Sequence, residues 1–202
     1  HRLDRETSGV MVFGKTPEAA AALRDLWLGG FVTKEYVGLV EGHPAADAGR
    51  FDAPLGRDET SPVAIRDWVR PDGAAARTRY RVEHRFERDG ERFARVRLWL
   101  ETGRKHQLRI HLAQAGHPLV GDKLYGPDPS LYLAFVERRL TAGQRARLRL
   151  PVQALHAGRL YLPWAGRERC FESPPEPWFT AFQAGTAVAW AEDPYDPWRN
   201  GP

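Results

Sequence analysis

The chain has 202 residues, 42% hydrophobic and 28% charged, a globular composition that can bury a core without covalent staples. Its single cysteine, Cys170, excludes a disulfide framework and any cysteine-built zinc site. The longest charge-free stretch, residues 177–191, falls short of the roughly 20 apolar residues of a bilayer span, and no basic-then-apolar leader is present, so a reducing, cytoplasmic setting without membrane contact is expected.

In chain order, residues 8–14 (S-G-V-M-V-F-G) are apolar and β-branched and predict a buried strand. Thr16-Pro17-Glu18 has the chemistry of a helix start, and the Ala-rich run 19–28 ends at Gly29-Gly30. Residues 34–41 return to strand, with weaker strands at 50–55 and 63–69 around a Gly/Asp/Ser/Pro loop. Residues 78–88 and 92–101 alternate polar with apolar side chains on either side of Asp89-Gly90, the strongest hairpin signal in the chain. Helices are predicted at 104–115, 131–140 and 178–183, a late strand at 157–162, and a loose tail at 193–202. The fold class expected is α+β: a mixed, mainly antiparallel sheet with flanking helices in one domain spanning residues 1–202.

Net charge is only +4, but residues 75–111 hold eleven Arg or Lys against five acids. Concentrated positive charge of this kind is how a polyanion footprint looks, although strand charges can equally form a solvated face. Two segments are dense in reactive side chains. The opening H-R-L-D-R-E-T-S-G places Asp4 between Arg2 and Arg5, whose charges favour an ionised carboxylate. Taken alone, Asp4 could equally be a turn former or half of a surface salt bridge. The second segment, E-T-G-R-K-H-Q-L-R-I-H-L at 101–112, could be no more than a basic amphipathic surface helix. Its His106 and His111 lie about 140° apart around a helix and cannot share one ion, so no metal site is expected.

In this order, H-R-L-D-R-E-T-S-G, K-E-Y-V-G-L-V-E-G, A-R-T-R-Y, T-G-R-K-H-Q-L-R-I-H-L, G-H-P-L-V-G-D-K-L-Y-G and Q-A-L-H-A resemble the motifs of the RluA-type pseudouridine synthases. The resemblance runs from His1 to about Pro174. It implies a pseudouridine synthase catalytic fold and an enzyme that isomerises a uridine of structured ribosomal or transfer RNA, with no cofactor. It further implies that Asp4 is the nucleophilic carboxylate, that Tyr36 packs on the extruded base, and that Arg109 holds Asp4. Arg2 would fill the stack left by the base, with Arg5, Arg77, Arg104, Lys105 and His106 as further RNA-binding residues. Family members carry a stretch before the H-R-L-D motif, so the domain is expected to lack its N-terminal portion; a monomer is expected. Two other readings compete. An RNA-binding module without activity would need the arginines but not Asp4, Tyr36 and Arg109 together. A glycosidase-like hydrolase would pair Asp4 with Glu6 or Glu101. His43, His84, His117 and His156 are expected to be structural, Tyr80 a packing residue, and Trp99, Tyr161, Trp164, Trp178 and Phe179 core.

Overall fold

The alternating segments around Asp89-Gly90 form the longest hairpin of the structure, a computed structural model describing residues 1–188. The chain begins with β1 (Ser8–Gly9), α1 (Pro17–Leu28), β2 (Thr33–Glu41) and β3 (Ala48–Asp52). Then come β4 (Leu55–Arg57), β5 (Asp67–Val69), β6 (Arg77–Arg88) and β7 (Glu91–Leu100). The second half supplies α2 (Gln107–Gln114), α3 (Ser130–Val136), α4 (Ala142–Leu148), β8 (Leu155–Trp164), β9 (Arg167–Glu172) and α5 (Pro177–Gln183). The tail expected at 193–202 lies outside the described residues.

Seven strands make one sheet in the order β1-β8-β2-β7-β6-β3, with β9 also on β8; β4 and β5 pair separately. Only β1 and β8 run parallel, so the sheet is mixed and mainly antiparallel. At the hairpin tip Asp89 and Gly90 both take positive φ, 52° and 77°, the geometry a two-residue turn needs to match strand twist.

β2 is buried on both faces from Tyr36 to Val40. Because side chains alternate along a strand, Tyr36 and Val40 pack with Leu98, Leu108 and Leu112, while Val37 and Leu39 pack with Phe93, Phe179 and Phe182. Thus α2 covers one face of the sheet and α5 the other. α1 starts where Thr16 Oγ1 accepts the Ala19 amide, and its Leu23, Leu26 and Trp27 lie on Val32, Leu160 and Leu162. Of the aromatics expected in the core, Phe179 is fully buried, whereas Trp99, Tyr161, Trp164 and Trp178 are only half-buried. Tyr80 does pack, stacking on Phe51 at 4.8 Å.

Several expectations need correction. The strand predicted over residues 8–14 is two residues long. Gly9 has φ 114°, which breaks the extended run, and a Cβ there would stand 2.2 Å from Ala157 O. Beyond it Val10 and Val12 are half-buried on the α1 side, while Met11 and Phe13 are exposed. The helix predicted over 104–115 starts at Gln107, because His106 takes φ 55°. The alternative of a surface helix for this segment is set aside by burial of all residues from Gln107 to Leu112. The predicted helix 131–140 stops at Val136, ahead of Arg138 at φ 57°. α4 and β9 escaped prediction. β9 is exposed throughout and lacks an apolar face, whereas α4 carries a readable capping box, Thr141 with Gln144.

Candidate active site

Asp4 lies in the turn before β1, where Thr7 N donates to Asp4 O at 3.0 Å. Three contacts fix this turn to the second half of the chain. Lys123 Nζ donates to Glu6 Oε1 at 2.7 Å, Gln153 Nε2 to Thr7 Oγ1 at 2.8 Å, and Ser8 Oγ meets His156 Nδ1 at 2.8 Å. Gln153 and His156 are buried members of the Q-A-L-H-A motif, so that motif acts here as an anchor for the Asp4 turn. His43, His117 and His156 each bond a backbone carbonyl, of Phe86, Glu41 and Ser173, as structural histidines do; exposed His84 stacks on Phe86.

Arg109, on buried α2, reaches this turn from below. Its Nη1 donates to Asp4 Oδ2 at 3.3 Å, while Nε and Nη2 grip Asp122 as a fork at 2.7 and 2.8 Å. Asp122 Oδ1 also accepts the amides of Leu124 and Tyr125, both at 2.9 Å. Burial opposes ionisation of both partners. The mutual attraction outweighs it, holding the Asp122 carboxyl below and the Arg109 guanidinium above its ordinary range. Arg109 is therefore a fixed cation whose Nη1 is turned to Asp4.

Gln107 sets the start of α2. Its Oε1 accepts from Thr102 Oγ1 and Arg104 N, and its Nε2 donates to Arg77 O and Thr78 Oγ1. All four bonding positions of this buried amide are used, which locks α2 to β6. His106, the residue before, is wedged beside Tyr125, whose hydroxyl lies 2.9 Å from Nδ1. Burial first, then the Arg109 charge, push the His106 pKa down to about 4, so its imidazole is neutral at pH 7.

These groups line a cleft of about 630 Å³. Asp4, Tyr36 and Arg109 meet in it, joined by Arg2, Arg104, Lys105 and His106. Asp4 is the single carboxylate of the lining, against five cations that include Lys34. Tyr36 comes up from β2, and burial followed by the Asp4 charge raises its phenol pKa. Arg5 lines a smaller neighbouring hollow of about 210 Å³ with Glu6 and Tyr132. Arg77 is brought to neither; its Nε lies 3.7 Å from Glu101. Glu6 is engaged by Lys123 and Glu101 by Arg50, Arg77 and Arg79, so neither lines the cleft as a second carboxylate for a hydrolase.

The basic run 75–111 also divides. Arg95 and Arg97 sit on the face of β7 away from Tyr36, paired with Glu83, and Arg97 also with Glu35. Only its last cations, at 104, 105 and 109, reach the cleft. Sequence reasoning missed Asp122 and Lys34. Asp122 stood inside the quoted G-H-P-L-V-G-D-K-L-Y-G motif, but its partner is thirteen residues away and visible only in the fold. Lys34 stood in K-E-Y, two residues before Tyr36 and so on the same strand face.

The fold and site define a class: an α+β protein with one carboxylate on a cleft that also carries five cationic side chains and the ring of Tyr36. The RNA pseudouridylate synthase family pattern matches residues 1–114, and the chain belongs to that family. It is 39% identical over 176 residues to an RNA pseudouridine synthase of Chloroflexus aurantiacus, covering 86% of this chain and 48% of that one. Ribosomal large subunit pseudouridine synthase D of Nitrosomonas europaea is 40% identical over 179 residues, with 86% and 46% covered, and that of Escherichia coli 38% over 176 residues, with 86% and 51% covered. The chain thus spans about half the length of these relatives. Among solved structures, human RNA pseudouridylate synthase domain containing 1 superposes with TM-score 0.74 at 26% identity, covering 94% of this chain and 74% of that one.

Proposed function

We propose that the protein is an RNA pseudouridine synthase that isomerises a uridine of structured RNA, with Asp4 as nucleophile. In this reaction the bond from uracil N1 to ribose C1′ breaks, the base turns, and C5 bonds to C1′. The proton leaving C5 is balanced by one gained at N1, so the bond balance requires neither a redox cofactor nor an activated donor. The observation that carries the reading is the geometry of Asp4: one carboxylate, held by a buried guanidinium, on a cleft whose other charged side chains are all cations and which Tyr36 also lines.

A uridine in a folded RNA must leave its stack to reach Asp4, which costs a few kcal/mol. Tyr36 would recover about 1–3 kcal/mol by packing on the extruded base, and Arg2, exposed at the cleft mouth, would fill the space left behind. Arg104, Lys105 and neutral His106 would hold the flanking nucleotides, with Arg5 beyond them. Tyr36 keeps its proton while Asp4 is charged.

The names of the Nitrosomonas and Escherichia relatives make large-subunit ribosomal RNA the first substrate to test. Asp4→Asn keeps shape and hydrogen bonding but removes the attacking charge. The expected result is no detectable pseudouridine, with RNA binding retained, when ribosomal RNA is mapped with the parent or the variant supplied. Turnover within tenfold of the parent would remove Asp4 from the mechanism.

A further inference from the structure

Among the described residues two cationic side chains are deeply buried, and each has a carboxylate. Arg109 has Asp122 and Asp4, and Lys123 has Glu6. Lys34 differs. Its side chain is half-buried on the wall of the cleft, two residues before Tyr36 on the same face of β2. Its ammonium has no hydrogen-bond acceptor or carboxylate among the described residues. It rests against Gly103, where a Cβ would come within 3.2 Å of Nζ, so the missing side chain of Gly103 makes room for it. The adjacent acid, Glu35, points to the opposite face and is held by Arg97 and Trp99.

Partial burial of an ammonium without a counter-charge is unfavourable, and it lowers the Lys34 pKa. The neighbours across the cleft do not supply the charge: Arg104 is a cation, and Arg104 Nε is turned to Ala75 O.

We infer that Lys34 is a binding site for a backbone phosphate of the RNA strand that carries the target uridine, the anion completing a pair the protein leaves open. This inference rests on the RNA reading of the cleft and adds a specific contact to it. The phosphate would be held beside the base that Tyr36 receives, coupling strand position to base entry. Lys34 thus acts in binding and takes no part in bond making.

The test is fluorescence anisotropy of a labelled oligouridylate against salt concentration, with the parent, Lys34→Met and Lys34→Arg, together with thermal melting. Lys34→Met should weaken binding about tenfold and flatten the slope of log K against log salt by about 0.7, the value of one phosphate contact on a single strand. Lys34→Arg should keep the slope, and turnover of ribosomal RNA by Lys34→Met should suffer through KM. The Lys34→Met protein should melt no lower than the parent, because an unpaired, partly desolvated charge has been removed. A parent-like slope in Lys34→Met, or a lowered melting point with unchanged affinity, would mean that the lysine is structural. Should the parent itself bind the oligouridylate without salt dependence, the RNA reading of the cleft falls, and this contact with it.

Discussion

Asp122 touches no substrate in the proposed reaction, yet the position of Arg109 depends on it. Asp122→Asn keeps the size of the side chain but leaves a buried guanidinium without its main counter-charge. Breaking such a pair typically costs about 3–5 kcal/mol, so urea unfolding should show a loss of that order. Turnover should fall further than stability explains, since Arg109 would then be drawn onto Asp4. Parent-like unfolding would show that the Asp4 contact alone suffices to hold Arg109. The neutral state of His106 has a measurable consequence as well. Its pKa of about 4 in the folded protein lies below the ordinary 6.5. Between those values the unfolded chain binds a proton that the folded chain does not, so stability declines as pH falls through this window. His111, lowered by burial, acts with the same sign. His106→Gln should therefore flatten the acid limb of unfolding free energy against pH, by no more than about 3 kcal/mol. Parallel curves for variant and parent between pH 4 and 7 would contradict the neutral imidazole.

Among the elements, the shortest strand has the largest bearing on the site. β1 is two residues, but through Gly9 it lies directly on the backbone of Ala157, and the Asp4 turn hangs from it. Gly9→Ala adds a Cβ at a positive φ and 2.2 Å from a carbonyl oxygen. Both effects oppose folding, by about 2–4 kcal/mol together, and the relief available is to move β1 off β8. Circular dichroism melting should register the loss, and activity should drop with it; an unperturbed variant would show that β1 has freedom absent from this packing. α2 shows why element type and element environment are separate questions. Its residues predicted a helix, while a basic amphipathic surface helix stood as the blander reading of the segment. The packing of β4 and β5 and the tyrosine hydroxyl of Tyr125 enclose it instead.

Over the whole molecule, charge is organised by face. The hairpin of β6 and β7 carries most of the basic run, but Arg95 and Arg97 are paired with acids on the side away from the cleft. Arg2 and Arg104 line the cleft without a carboxylate among the described residues. Arg104→Glu should accordingly weaken RNA binding and reduce its salt dependence by one to two contacts, at about 0.7 per contact. Arg95→Ala should leave the salt slope unchanged. Equal effects of the two substitutions would mean that binding follows net charge and is indifferent to the cleft.

How much of this was legible beforehand follows from the range of each interaction. Local chemistry determined the hairpin at Asp89-Gly90, the cap at Thr16, the strand of Tyr36 and the α+β class, because turn conformation, capping and side-chain alternation are set within a few residues. The motifs also carried the family, since Asp4, Tyr36 and Arg109 each stand in a recognisable segment. Tertiary structure alone decided which of the predicted RNA-binding residues share a cleft: Arg2, Arg104, Lys105 and His106 do, while Arg5 lies in the next hollow and Arg77 beside Glu101. It also decided that Asp122 clamps Arg109, that Glu6 belongs to Lys123, and that Lys34 is left without a partner. Those facts depend on groups distant in sequence meeting at about 3 Å in a buried setting, where a charge must find a counter-charge or take one from a ligand.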